Sequence, residues 1–262
     1  MCDWITRIVK ENTSIFIIND LSIELKNKIR DNLVSICYGK QAPTKNPKSY
    51  SYKKTLAEFL KRYETKELKL KKGMIGELLT HIIFIEYITG YEPISLYFNL
   101  EERHIKKGFD VLYVDEEELL WITEVKSGEL GSAKNSHAKN LSLINIAKND
   151  LVKRLADDDL YIWQNAIHGA YVAMKESKVK DSVITILEED KSLELHSGKE
   201  HNVILSSVLF NDINDPITLK GIRESRERII ESDSFRNVIV LSIQKNTFTA
   251  VEEFLKGELS NG

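Results

Sequence analysis

The sequence predicts an α/β protein, a mixed sheet flanked by helices with an N-terminal elaboration. Three observations carry that expectation. Two apolar, β-branched runs, residues 109–114 and 119–125, flank a short acidic stretch, which is the sequence form of a β-hairpin. Helical patterns stand on both sides of it, at 74–88 and 138–155. With strands expected at 93–99 and 166–174, the order becomes helix, strand, strand, strand, helix, strand, alternating the 3.6-residue and two-residue periods of an α/β core.

The elements follow in order. Residues 14–19 read as a strand and 21–38 as a helix, with Leu21, Leu25, Ile29, Leu33 and Ile36 at three- and four-residue spacing. Residues 39–51 carry Pro43 and Pro47 and read as an exposed loop. From Lys40 to Lys72 there are eleven basic residues against three glutamates, Glu58, Glu64 and Glu67, with Tyr50, Tyr52, Phe59 and Tyr63 interleaved. Such a segment is either a solvated helix face with its aromatics in the core, or a surface that contacts phosphates. The helix at 74–88 is apolar on most sides, so it is expected to be buried. Glu77 and His81 stand four apart on one face of it. They pair with each other, or Glu77 turns toward the charged end of the hairpin.

Beyond the hairpin, Gly128 and Gly131 break the chain, and Leu141, Ile144, Ala147, Leu151 and Leu155 form one stripe of the next helix. Further strands are expected at 183–187, 202–210 and 237–244, and helices at 220–231 and 248–256. From Glu188 onward the chain is acidic, with 14 acids and 9 bases. Residues 1–72 are taken as the elaboration with its basic segment, and 73–262 as the core domain.

Composition narrows the classes. Hydrophobic residues make up 42% and charged residues 29%, the proportions of an ordinary globular chain. No apolar run approaches the roughly 20 residues that span a bilayer, so no membrane is expected. The first residues lack a basic stretch followed by an apolar one, and two cysteines, Cys2 and Cys37, make no disulfide framework. A cytoplasmic location follows. A net charge of −3 argues against a chain coated in nucleic acid, though not against a local basic groove. There is no Gly-rich phosphate loop and no serine in a nucleophile-elbow setting. The six histidines are scattered, and His196 and His201, five apart without cysteines, are weak candidates for zinc.

The hairpin is the informative stretch. Side chains alternate along a strand, so Glu124 and Lys126 share a face. If Val114 lies opposite Leu120, then Leu112 faces Ile122 and Asp110 faces Glu124. That register matches apolar residues with apolar ones and gathers the charges at one end. Two opposed carboxylates repel unless a cation or a proton sits between them. The plain alternative is a salt bridge at a strand end, worth little to stability.

Asp110 followed across a hairpin by Glu124-x-Lys126 resembles the PD-(D/E)xK phosphodiesterase superfamily, although Gly108-Phe109 stand where its proline would. At finer grain the match is to the nuclease subunit of Hachiman-type antiphage defence systems. It rests on Gly76-Glu77 opening an apolar helix, Lys107-Gly108-Phe109-Asp110, Leu120-Trp121 leading into Glu124-Val125-Lys126, and a following Lys-bearing helix, over residues 70–156. Ser127 replaces that family's frequent aromatic. The resemblance implies a restriction-endonuclease-like core with Asp110 on its second strand and Glu124 and Lys126 on its third. It also implies a DNA substrate and a helicase-like partner subunit. Asp110, Glu124 and the Val125 carbonyl offer hard oxygens suited to Mg²⁺ or Mn²⁺. Lys126 would stabilise charge at phosphorus and orient an attacking water, and Glu77 would serve a second ion or its water. The function expected is metal-dependent DNA cleavage gated by the partner. The alternatives are a stand-alone restriction- or repair-type nuclease, or a catalytically silent subunit that binds DNA or a partner.

Overall fold

Two nine-residue stretches, Asn202–Phe210 and Asn237–Lys245, are almost wholly buried and rich in Val, Ile and Leu. Strands covered on both faces read as continuous apolar runs, and these two lie side by side and parallel inside the sheet. The computed structural model describes residues 4–98, 108–156, 160–192 and 197–260. The strands are β1 (Ile5–Lys10), β2 (Thr13–Ile18), β3 (Tyr91–Pro93), β4 (Val111–Asp115), β5 (Leu120–Glu129), β6 (Asn202–Phe210) and β7 (Asn237–Lys245). Preceding β3 are α1 (Ile23–Tyr38), the short α2 (Ala42–Lys45), α3 (Tyr52–Glu64) and α4 (Leu68–Tyr87). Between β5 and β6 come α5 (Ser136–Leu155), α6 (Leu160–Ala173) and α7 (Lys178–Ser192); α8 (Leu219–Glu231) and α9 (Thr249–Ser260) flank β7.

All seven strands join one mixed sheet in the order β1-β2-β7-β6-β5-β4-β3. The four strands from β2 to β5 in that order are mutually parallel, while β1, β4 and β3 run antiparallel to their neighbours. Helices cover both faces. Residues of α1, α3, α4 and α9 pack with Val111, Trp121, Val125, Ile204 and Ile243 on one face. Residues of α5, α6, α7 and α8 pack with Leu112, Ile122, Val203 and Leu205 on the other. The first 72 residues supply two strands of this sheet, and residue 72 falls inside α4. No described helix is long and apolar enough to cross a membrane.

Most expected elements form where the pattern places them. The α1 stripe of Leu25, Ile29, Leu33 and Ile36 is buried, and the Ser22 hydroxyl caps the helix by accepting from the Leu25 amide. Three expectations fail. Residues 166–174, read as a strand, fall in α6 up to Ala173, where Ile162, Trp163, Ala166, Ile167 and Ala170 are buried at helical spacing. Residues 183–187 lie inside α7, burying Val183, Ile184 and Leu187. A short apolar run has the same composition in a strand and in a buried helix, so periodicity alone does not separate them. The core strand that follows α5 is therefore β6, with α6 and α7 inserted before it. Finally, the strand expected at 93–99 is only Tyr91–Pro93. Past it, the Tyr97 and Phe98 amides donate to the Ile36 and Cys37 carbonyls at the end of α1 rather than to a neighbouring strand. Asn99 and the charged loop 101–107 lie outside the described residues, as do Cys2 and His196. Cys37 is a buried free thiol.

Candidate active site

The hairpin β4–β5 closes in the register the alternation dictates, with Val114 opposite Leu120 and Leu112 opposite Ile122. Its turn is built by Asp115. One carboxylate oxygen accepts from the Glu117 and Leu119 amides, the other accepts from the Trp121 indole at 2.8 Å, and Glu118 takes a positive φ of 62°. At the opposite end, the ladder to β4 stops at Val111. The Asp110 side chain takes over there, accepting from the Val125 amide at 2.8 Å. A strand residue directs its N–H and C=O to the same edge, so the Val125 carbonyl also points to the Asp110 side.

Glu124 is the buried member of the site, with no exposed side-chain surface. The Lys126 ammonium donates to its Oε1 at 2.6 Å, and the Arg154 guanidinium donates to Oε2 at 2.8 Å and to Oε1 at 3.3 Å. Arg154 also donates to the Gly108 carbonyl at 2.9 Å and lies 3.9 Å from Asp110 Oδ1. Lys126 is shared with Asp150 at 3.0 Å. The repulsion expected between Asp110 and Glu124 is thus met by cations of the chain itself. Asp150 and Arg154, one turn apart on α5, were not among the residues the sequence singled out. Their i, i+4 spacing just off the buried stripe of Ala147, Leu151 and Leu155 is the signal that was there to find.

Opposing influences act on Glu124. Burial, and then the charge of Asp110, raise its carboxyl; Arg154 and Lys126 lower it; burial wins, and the group is pushed from 4.5 to about 7. For Lys126, burial lowers the ammonium, but pairing with Glu124, Asp110 and Asp150 prevails and raises it. The Glu124 shift has a sign for stability. Between pH 4.5 and 7 the folded chain holds a proton at Glu124 that the unfolded chain has lost, so stability falls as pH rises through that window. Glu124→Gln cannot ionise and escapes the fall. Relative to wild type, the variant is expected to gain up to about 3 kcal/mol between pH 4.5 and 8. Denaturant unfolding of both proteins at the two pH values checks this, and an unchanged difference would refute it.

Glu77 is half-buried on α4, which packs on the face of β5 opposite Glu124 and Lys126. Burial raises the Tyr97 hydroxyl, and the charges of Glu77 and Asp110 add to that. His81 is buried on the same face of α4, its ring 6.1 Å from Tyr97. Among the described residues, no three His, Cys, Asp or Glu side chains are spaced to hold a metal ion. The donor chemistry of Asp110, Glu124 and the Val125 carbonyl fits a hard divalent cation, but both Glu124 oxygens are already taken by cations of the chain. His201 is buried 3.9 Å from Asp190 and far in sequence from any cysteine. In the basic segment Lys53, Lys54 and Lys61 are exposed, whereas Arg62 pairs with Glu58 and stacks 4.3 Å over Phe98. Phe59 and Tyr63 are in the core.

A helix-flanked mixed sheet whose hairpin end collects two carboxylates, a lysine and an arginine defines an α/β protein with a charged, partly buried side-chain cluster at one end of its hairpin. The chain belongs to the HamA family, whose profile matches residues 3–256, nearly its whole length. HamA is the nuclease-like subunit of Hachiman antiphage defence, so this is an antiphage defence protein of Hachiman type. No curated protein matches the chain.

Proposed function

We propose that the Asp110–Glu124–Lys126 site hydrolyses DNA phosphodiester bonds on a PD-(D/E)xK-type core, and that a helicase-like partner delivers the DNA. The observation that carries this reading is the convergence of those three side chains at one end of an otherwise apolar hairpin. Strands that are apolar everywhere else gain nothing in stability from a buried carboxylate whose desolvation outweighs its ion pairs. Family membership supports the setting.

Asp110, Glu124 and the Val125 carbonyl would hold a Mg²⁺ or Mn²⁺ ion. When bound, such an ion polarises the scissile phosphate and lowers the pKa of an attacking water. Lys126 places a positive charge on the face of β5 shared with Glu124, where it stabilises charge gathering on the phosphoryl oxygens and orients the water. Glu77, half-buried on α4, would serve a second ion or its water. The chain offers no helix-turn-helix and no zinc finger to read bases, so its contacts with DNA are to the backbone and cleavage is independent of sequence. A nuclease of that kind endangers its own genome unless it is gated. The chain has no nucleotide-binding loop, which puts the ATP-driven step on a partner.

The test is co-expression with a helicase-like partner encoded beside it, followed by size-exclusion chromatography and DNA digestion. A stable complex is expected, with degradation that requires ATP and Mg²⁺ together and stops with EDTA. Robust ATP-independent digestion of plasmid by this chain alone, at sub-stoichiometric amounts, would overturn the gating and favour a stand-alone nuclease. No digestion under any condition would leave a silent binding subunit.

A further inference from the structure

Arg154 stands where the charge balance of the acid pair asks for a cation. Its guanidinium spans both Glu124 oxygens and the Gly108 carbonyl and faces Asp110 Oδ1 at 3.9 Å. The fork geometry suits this work, since a planar guanidinium meets a carboxylate with two parallel bonds. Exposure shows what the fork covers. The Asp110, Lys126 and Arg154 side chains keep 22%, 24% and 25% of their surface exposed, and Glu124 keeps none. Approach to the Glu124 carboxylate is therefore through its two cations. Lys126 is tied by neighbours on both sides, Glu124 and Asp150, and sits on the strand itself. Arg154 reaches in from the last turn of α5 on a long side chain, so swinging it out costs its bonds to Glu124 and to the Gly108 carbonyl but breaks no bond of a strand or helix ladder.

We propose that Arg154 is an internal counter-ion that occludes the acid pair, and that a divalent cation binds Asp110 and Glu124 only as Arg154 withdraws. This rests on the reading that the two carboxylates are the cation-binding pair. It makes Arg154 a positioning residue with two states. Seated, it neutralises the pair and joins the 108–110 segment to β5. Withdrawn, it leaves two hard oxygen donors facing solvent beside Lys126, and its charge becomes free to meet a DNA phosphate. The affinity of the resting protein for a divalent cation is then reduced by the fraction of time Arg154 spends withdrawn.

Calorimetric titration of Mn²⁺ into the metal-free full chain at pH 8 tests the idea without reference to cleavage. Arg154→Gln removes the counter-ion and is expected to bind Mn²⁺ about tenfold or more tightly than wild type. Arg154→Lys keeps the charge but cannot span Glu124 and Gly108 together, so it should fall between the two. Adding Glu124→Gln to Arg154→Gln should cancel the gain. Binding by Arg154→Gln no tighter than wild type would overturn the proposal, as would a gain that survives the loss of Glu124. Should Arg154→Gln not fold, Arg154→Lys decides in the same direction, and equal affinity with wild type overturns the proposal. The nuclease reading fails separately. Tight Mn²⁺ binding by Arg154→Gln beside a wild-type complex that cuts no DNA would retain the occluding arginine and reject the nuclease, and wild-type cleavage with unchanged Arg154→Gln binding would do the reverse.

Discussion

Glu124→Ala in the assembled defence complex is expected to lower DNA cleavage by at least about 10²–10³-fold, with the chain still folded and the complex still formed. Lys126→Ala should do the same. The two substitutions remove different things. Glu124 is the only wholly buried carboxylate of the pair, and its loss takes away one of two hard oxygen donors on that face. Among the described residues, Lys126 carries the one ammonium bonded directly to it, at 2.6 Å. Circular dichroism and a cooperative unfolding transition should show that each variant is folded, whatever the shift of its midpoint. A purely structural ion pair would spare activity. Folded Glu124→Ala protein that degrades DNA at the wild-type rate would refute the site. Because residues acting as one unit are not additive, the double substitution should cost little more than either single one.

The hairpin was legible because one register sets apolar residues of β4 opposite apolar residues of β5 and gathers the charges at one end. With the register fixed, Asp110, Glu124 and Lys126 had to meet. What lay beyond reach is equally physical. Arg154 is 30 residues from Glu124 along the chain, and only the packing of α5 across β5 brings its guanidinium to the carboxylate. Local spacing shows that Asp150 and Arg154 share a helix face; it does not show what that face meets. The same limit hid the true successor of β5. Residues 166–174 and 183–187 are short apolar runs, and the decision that they are helices comes from burial against Ile94, Phe109 and Leu209 in the same core layer, not from their own composition. Segment 94–98 is apolar enough for a strand, yet only the Ile94 amide still reaches β4, at the Leu112 carbonyl, and the Tyr97 and Phe98 amides are claimed by the end of α1. Glu77 was placed by analogy of position, and local spacing does not show that α4, which carries it, packs on the face of β5 opposite Glu124 and Lys126.

The contact that sets α4 on that far face gives the largest stability effect expected of a small substitution. A Cβ added at Gly76 would stand 1.8 Å from the Ser127 hydroxyl, 2.9 Å from Ser127 Cβ and 3.2 Å from Val208 Cβ. Glycine there lets the helix backbone lie directly on β5 and β6. By helix propensity alone, Gly76→Ala would stabilise α4 by up to about 1 kcal/mol. The clash decides the sign, because overpacking a filled core costs about 1–3 kcal/mol and Gly76→Val would cost more. Part of the strain can be relieved. The Ser127 hydroxyl is buried with no hydrogen-bond partner, so Ser127→Ala should be close to neutral by itself. It removes the nearest obstructing atom, and Gly76→Ala should therefore be less damaging in the Ser127→Ala background, with the remainder owed to Ser127 Cβ and Val208. Unfolding midpoints of the two single variants and the double variant measure that coupling. If Gly76→Ala is as stable as wild type, or if the two changes simply add, α4 does not rest on β5 through this pair. The effect should also reach the site, since Ser127 directly follows Lys126 and a helix pushed outward loosens the strand that holds both Glu124 and Lys126.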